Sequence, residues 1–367
     1  MSSIWGNKIK LSIFGESHGE AIGVVIDNLP PGIQLDLQYI NKQMIRRAPG
    51  KNKLSTTRNE SDLPKIISGY FNGKTTGAPL CAIIYNEDTS SKDYSILKDN
   101  MRPGHSDYPA YVKYQACNDY RGGGHFSGRI TAPLLFAGAI AMQILQKYKN
   151  IHIGSRIKSI YNVEDDAQLK NINENSLNNL KNMDFPVLTL EKSAEMQAEI
   201  LNAKENLDSV GGIVESFIIN LEAGYGEPFF DSVESRLSQM IFSIPSVKGI
   251  EFGEGFNISS MKGSTANDSY YVENEKVLTK SNNNGGIIGG ITNGMPIIFR
   301  TAIKPTPSIS KLQNTVNISN MENSELQIKG RHDPCIVQRA LPVIEGAAAL
   351  TLLDLILERE GELLWKI

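Results

Sequence analysis

Four of the chain's five histidines lie in short loops punctuated by glycine or proline. His18 sits in Gly15-Glu16-Ser17-His18-Gly19 and His105 in Arg102-Pro103-Gly104-His105-Ser106-Asp107-Tyr108. His125 belongs to Arg121-Gly122-Gly123-Gly124-His125-Phe126-Ser127-Gly128-Arg129, and His332 to Lys329-Gly330-Arg331-His332-Asp333-Pro334-Cys335. Histidine is the side chain best matched to moving a proton near neutral pH. Arg46, Arg47, Arg58, Arg102, Arg121, Arg129 and Arg331 lie in or beside such loops. Arginine forks suit phosphate and carboxylate, and glycine lets backbone N–H groups approach a ligand closely. If the loops converge, they make a positive pocket in a chain of net charge -3. Such a pocket suits a small anion carrying phosphate and carboxylates.

Competing chemistries find less support. No His-x-His or His-x-x-x-His pair exists, and Cys81, Cys117 and Cys335 stand far apart. That argues against a zinc site or a disulfide framework and for a reducing cytoplasm. Glu16 and His18 could share an ion, but nothing beside them completes a shell, so no metal is expected. Ser17 and Ser127 lie outside any Gly-x-Ser-x-Gly elbow. The glycine clusters match neither the P-loop nor the dinucleotide fingerprint. Asp333 has two readings: N-cap of a helix with Pro334 in its first turn, or an acid placed beside Arg331 and His332. From residue chemistry alone, the reading is an enzyme with a polyanion site served by His, Arg and Asp on loops.

The elements that must hold these loops are legible from periodicity. Strands are predicted over 8–14, 21–26, 65–71, 80–85, 151–160, 213–221, 247–252 and 297–303. Asp36 caps a helix with Leu37, Ile40, Met44, Ile45 and Ala48 on one face, ended by Pro49-Gly50. Short helices are predicted over 111–117, 194–206 and 232–242. Thr131 is the predicted cap of a helix whose stripe is Leu134, Ala137, Ala141, Ile144, Leu145 and Tyr148. The last helix opens at Asp333 with Ile336, Ala340, Val343 or Ile344, and Ala347 inward and Pro342 as a predicted kink. The Asn- and Lys-rich segment 162–184 reads as an exposed excursion.

With 367 residues, 40% hydrophobic and 21% charged, the chain has an ordinary globular composition. The acidic balance disfavours a broad nucleic-acid footprint. The apolar run 132–145 is too short to span a bilayer, and no signal peptide is legible at the start. Strands and helices alternate without a strict βαβ rhythm, so the expectation is one large mixed α/β (α+β) domain over 1–367.

Taken together, the motifs resemble the chorismate synthase family over nearly the whole chain. The resemblance rests on Gly15-Glu16-Ser17-His18-Gly19, Arg46-Arg47-Ala48-Pro49-Gly50, Arg102 to Tyr108, Asp119-Tyr120-Arg121-Gly122-Gly123-Gly124, Lys304-Pro305-Thr306-Pro307-Ser308-Ile309 and Gly330 to Cys335, in the family's order. It implies a β-α-β sandwich, usually a homotetramer. It implies conversion of 5-enolpyruvylshikimate 3-phosphate to chorismate and phosphate, the last step of the shikimate pathway. The reaction is a 1,4-anti elimination that needs reduced FMN without net redox change. NADPH is a candidate reductant, with a separate flavin reductase as the alternative.

The resemblance also implies roles. His18 and His105 match the paired histidines, one protonating the departing phosphate and the other keeping the reduced flavin in its required protonation state. Asp333 matches the residue that assists proton removal. His125, Phe126, Ser127, Ser246, Gly289, Lys304, Pro305, Thr306, Pro307, Ser308 and Arg331 match flavin-binding positions. Arg47 and Lys53 match positions for NADPH or substrate phosphate. Ser17, Arg102, Arg129 and Arg331 are expected around the anionic ligands. The chain departs from the commoner family pattern at His125 and Phe126, at Ala48, at Lys53 and at Pro307. Two other classes compete with it: a flavin-dependent oxidoreductase, which an NADPH-oxidation assay would reveal, and a phosphoanion-binding module without turnover.

Overall fold

The computed structural model describes residues 3–50, 54–56, 60–87, 96–169, 172–328 and 332–361. Alternating apolar residues build a first antiparallel sheet. Its strands are β1 (Ile4–Trp5), β2 (Lys10–Gly15), β3 (Ala21–Asp27), β4 (Lys65–Ser68) and, after a small hairpin of β5 (Tyr70–Phe71) and β6 (Lys74–Thr75), β7 (Leu80–Tyr85). The strand order is β1-β2-β3-β7-β4. Ile22, Val24 and Ile26 pair in register with Ile84, Ala82 and Leu80, and all six are buried on one face. That is what a period of two does when only one face is covered.

The second sheet is also antiparallel, in the order β11-β16-β10-β8-β9. It contains β8 (His152–Ile160), β9 (Val163–Glu164), β10 (Gly212–Ile219), β11 (Val247–Phe252) and β16 (Ile297–Ile303). The hairpins β12 (Tyr270–Glu273) with β13 (Lys276–Thr279) and β14 (Ile287–Ile288) with β15 (Ile291–Thr292) precede β16, and β17 (Gln313–Asn317) with β18 (Glu322–Leu326) follows it.

Helices pack between and around the sheets. They are α1 (Leu37–Arg47), α2 (Asp107–Lys113), α3 (Thr131–Lys149), α4 (Glu174–Asn182), α5 (Leu190–Glu205), α6 (Val233–Phe242), the short α7 (Gly263–Ala266) and α8 (Val337–Glu360). Helix α3 packs on β3 and β7, α8 packs on β8 and β10, and the two helices pack on each other. The result is a sheet–helix–sheet sandwich, an α+β arrangement in which each apolar face has a partner. One continuous cluster of buried side chains draws on both sheets and on α1, α3, α6 and α8. The helices cross closely because both supply glycine: a Cβ on Gly138 would lie 2.4 Å from the Gly346 Cα.

Several sequence expectations change here. The stretch 128–149, with its lead-in turn, and α8 are 22 and 24 residues long, enough by length and composition to cross a membrane. Both lie mostly buried, as core helices do. Segment 162–184 is more than an exposed excursion. Helix α4 buries Leu177 and Leu180 in a second cluster with Phe217 and Ile219, and it approaches β8 over Gly154, whose Cβ would lie 3.0 Å from the Leu177 Cβ. Asp36 does cap α1, accepting from the N–H groups of Gln38 and Tyr39 at 2.9 and 3.0 Å. Helix α8 starts only at Val337, so Asp333 is not its cap. Helix α2 begins earlier than predicted, at Asp107.

Candidate active site

The glycine loop between α2 and α3 has a backbone that few other residues adopt. Gly122, Gly123 and Gly124 have φ of 57°, 85° and 54°, in the left-handed region. There is also no room for side chains. A Cβ on Gly122 would meet the His18 ring at 2.3 Å, one on Gly123 would meet His105 Cε1 at 2.9 Å, and one on Gly124 would meet the Asp119 carbonyl oxygen at 2.1 Å. Successive glycines therefore seat the two imidazoles. The Ser17 N–H donates to the Gly124 carbonyl at 3.1 Å, tying the His18 loop to this one. Ser127 then accepts the Arg129 N–H at 3.3 Å and starts the turn that runs into α3. Thr131, the predicted cap, instead donates to the Gly128 carbonyl at 2.6 Å.

These loops open on a cleft of about 880 Å³. Its wall includes His105, His125, Phe126, Ser127, Ser246, Lys304, Thr306, Pro307, Ser308, His332 and Asp333. Arg47, Arg102 and Arg129 also reach it. Ser246 holds a left-handed φ of 76°, a strained conformation for a residue with a side chain, and its carbonyl accepts the Lys304 N–H at 2.9 Å. The Lys304 ammonium donates to the Gly104 carbonyl at 2.5 Å. His125 is tied at both ring nitrogens, to the Gly15 carbonyl at 2.8 Å and to Ser3 Oγ at 2.9 Å. Phe126 leans on Tyr114 with ring centroids 6.0 Å apart.

The charged groups fall into three assemblies. In the first, Arg102 grips Asp107 with Nε on Oδ2 and Nη2 on Oδ1, both at 2.7 Å, and His105 Nδ1 lies 2.7 Å from the same carboxylate. Burial pushes the His105 imidazole below its ordinary value, against the pull of Asp107, and Arg102 and Lys304 add to the depression. Burial opposes ionisation of Asp107, yet hydrogen bonds from Arg102 and His105 hold its carboxyl well below the usual range.

In the second, Asp62 bridges Arg47, at 2.5 Å, and Arg129. Every nitrogen of the Arg47 fork has a protein partner: Nη1 on Asp62, Nε on Thr131 Oγ1 at 3.0 Å and Nη2 on the Gly128 carbonyl at 2.9 Å. Arg129 Nε donates to Asn86 Oδ1 at 3.0 Å and Nη2 to the Tyr85 carbonyl at 3.2 Å. Burial lowers the Arg47 pKa to about 10 despite Asp62. Burial would raise the Asp62 carboxyl, but Arg47 and Arg129 hold it below the carboxylate range.

In the third, Asp333 accepts the Thr56 N–H at 2.9 Å and pairs with Arg339. Arg339 also donates to the Arg47 carbonyl at 2.9 Å. Asp333 thus makes contacts across the cleft wall.

The comparisons with known proteins bear on what such a cleft does. The chorismate synthase family model matches residues 9–357. The chorismate synthase of Pyrococcus abyssi (strain GE5 / Orsay) is 47% identical over 355 residues, covering 96% of this chain and 97% of that protein. The chain belongs to the chorismate synthase family. The chorismate synthase of Dehalococcoides mccartyi (strain ATCC BAA-2100 / JCM 16839 / KCTC 5957 / BAV1) is 43% identical over 357 residues, 97% of each chain. A crystal structure of a chorismate synthase superposes with a TM-score of 0.76 at 28% identity, covering 97% of this chain and 94% of that one. The function is that of a chorismate synthase, a carbon–oxygen lyase of the shikimate pathway.

Within this chorismate synthase fold, not every expected residue lines the cleft. His18 and Ser17 stand behind Gly122, which does. Gly289 lies in the turn between β14 and β15, away from the lining. Pro305 is absent from the wall although its neighbours are in it. Arg46 is drawn to Glu345 of α8 at 2.5 Å, and Arg121 is half-exposed on Asp119 at 2.8 Å. Lys53, Arg58 and Arg331 lie outside the described residues. Sequence reasoning did not single out Asp62, Asp107 or Arg339. Asp107 stood two residues from His105 in a quoted motif; Asp62 and Arg339 carried no local signal.

Proposed function

We propose that this cleft turns 5-enolpyruvylshikimate 3-phosphate into chorismate and phosphate by 1,4-anti elimination, with reduced FMN held against the substrate. The observation that carries the reading is the set of buried polar atoms left waiting at the cleft. Thr306 Oγ1 and His332 Nδ1 have no hydrogen-bond partner among the described residues. Buried polar groups are ordinarily paired, so these two fit a polar ligand. The volume, about 880 Å³, is in the range of small-molecule sites, and the excess of Arg and Lys suits an anion.

When bound, reduced flavin supplies an electron-rich ring that lends and regains electron density as phosphate leaves. The chain's own groups then have separate tasks. Lys304, Thr306 and Ser308 form one wall for the flavin, beside Ser246, Ser127 and Phe126. His105, depressed and so neutral at pH 7, is suited to accept a hydrogen bond at Nε2 and to govern the protonation of the group it faces. Donation to the departing phosphate then falls to His18, whose ring stands just behind Gly122 of the wall and must turn past it to reach the substrate. Asp333, paired with Arg339, takes up the proton. Arg47 and Arg129 act mainly through their field, because their forks are engaged. Since Arg47 offers no open fork to an NADPH phosphate, a separate flavin reductase is the proposed source of reduced flavin.

The same reading places the chain in the cytoplasm as one domain over 1–367, supported by the single apolar cluster shared by both sheets. It also takes the chain as a homotetramer, supported by large exposed aromatics such as Phe229, Phe230 and Phe256 at 85, 91 and 87% exposure. Anaerobic incubation with 5-enolpyruvylshikimate 3-phosphate and dithionite-reduced FMN should release phosphate and chorismate together. Folded, flavin-loaded protein that releases neither would sink the proposal. Aerobic oxidation of NADPH by protein and FMN alone would overturn the reductase assignment.

A further inference from the structure

His105 is held from one side only. Its Nδ1 lies 2.7 Å from Asp107 Oδ1, with Ser106 Oγ at 3.3 Å; Arg102 Nη2, 3.1 Å away, can only donate and has Asp107 Oδ1 closer, at 2.7 Å. Its Nε2 has no partner among the described residues and lies over Gly123, where a Cβ would stand 3.0 Å away. Asp107 is itself saturated. It accepts the Arg102 main-chain N–H at 3.0 Å and both sides of the Arg102 fork, besides the imidazole. A carboxylate with this many donors stays ionised. It can accept a hydrogen bond from Nδ1 but cannot give a proton back to it.

We propose that Asp107 is the positioning residue of His105: it fixes the imidazole proton on Nδ1 and turns the Nε2 lone pair toward the cleft. Neutral imidazole has one donor and one acceptor nitrogen, and the partner of one decides the other. Arg102 completes the arrangement by locking the Asp107 carboxylate in plane. The charged groups facing the ring are Asp107 and Arg102 from its own segment and Lys304 from beyond β16. The two cations disfavour an imidazolium, so the acceptor form prevails at neutral pH. The place of this residue in the reaction rests on the proposed function; the tautomer does not.

The bland alternative is that Asp107 merely braces Arg102. Asp107→Asn separates the two. Its amide oxygen can still accept from Arg102, while its amide N–H groups can donate to Nδ1 and drive the proton to Nε2. The experiment uses full-length protein with 15N-labelled histidine. Two-bond couplings report each tautomer, and His105 is assigned by its absence in His105→Gln. Wild type should show Nδ1–H, and Asp107→Asn should show Nε2–H. Turnover of Asp107→Asn should fall roughly 10⁴-fold, as a wrong-tautomer histidine does. KM for 5-enolpyruvylshikimate 3-phosphate should stay within about 3-fold, and the acidic limb of the kcat–pH profile should move. Wild-type Nε2–H overturns the proposal even if Asp107→Asn does not fold. So does an Asp107→Asn protein that loses turnover with tautomer and pH profile unchanged. If wild type has the expected tautomer but makes no chorismate, the proposed function fails and the positioning role stands.

Discussion

Gly122 and His18 occupy adjoining space so tightly that a Cβ on the glycine would lie 2.3 Å from both Nδ1 and Cε1 of the ring. The φ of 57° at Gly122 adds backbone strain for any other residue. Gly122→Ala should displace the imidazole and cut turnover on the order of 10²-fold, the scale of a lost acid–base group. Its stability cost should be about 1–3 kcal/mol. Gly128 is the control: nothing lies within 4 Å of its virtual Cβ and its φ is not left-handed. Steady-state kinetics with thermal melts of both variants check this. Equal turnover in Gly122→Ala and Gly128→Ala would refute the seating role.

The site was legible where chemistry is local. Motifs built on His18, His105 and the triple glycine read as an anion site because their residue types and backbone demands are written in consecutive positions. The strands and the Asp36 cap read correctly for the same reason. What stayed hidden depends on approach through space. Arg47 and Arg129 read as open anion clamps because nothing in sequence places Asp62 between them. Arg46 read as a pocket arginine, but α8 brings Glu345 to it. Asp333-Pro334 has the local form of a helix start, yet tertiary pairing with Thr56 and Arg339 holds the aspartate and the helix begins at Val337. The polarity of α4 concealed that Leu177 and Leu180 pack it against β8 and β10.

Asp333 and Arg339 give a second prediction. With Asp333 held by two groups rather than capping a helix, Asp333→Asn keeps the Thr56 contact and loses the charge. Turnover should fall on the order of 10²-fold or more, with the thermal midpoint nearly unchanged and FMN affinity, read by fluorescence quenching, within about 3-fold. Arg339→Gln should reproduce part of the loss, because Asp333 then lacks its counter-charge. A large drop in the melting temperature of Asp333→Asn, with full turnover in the folded fraction, would return the residue to a structural role.

The crossing of α3 and α8 predicts where the fold is least tolerant. Gly138 and Gly346 meet backbone to backbone, and neither backbone can yield as a flexible side chain would. Gly138→Val should cost about 3 kcal/mol or more, at the upper end of overpacking effects, and lower the urea midpoint. Gly263→Val, where a Cβ meets nothing within 4 Å, should change it little. A Gly138→Val protein as stable as wild type would mean that the helices can separate without penalty.

Stability should weaken in mild acid. Burial depresses the imidazoles of His105, His332 and His152 below the ordinary 6.5. For His105 and His332 the Arg102 charge acts in the same direction, and for His152 the nearby Lys181 does. Each therefore binds a proton less readily in the folded chain than in the unfolded one. The unfolded state takes up more protons as pH falls, so stability present in full above about 6.5 is lost as pH drops toward the folded values. Urea unfolding at pH 7.5 and 5.5 should show the lower midpoint at 5.5. His152 stands on β8 and reaches Asn150 Oδ1 at 2.9 Å, outside the cleft lining. His152→Gln should therefore shrink the drop while leaving turnover at pH 7.5 unchanged. A midpoint that holds or rises at pH 5.5 would contradict the burial of these neutral rings.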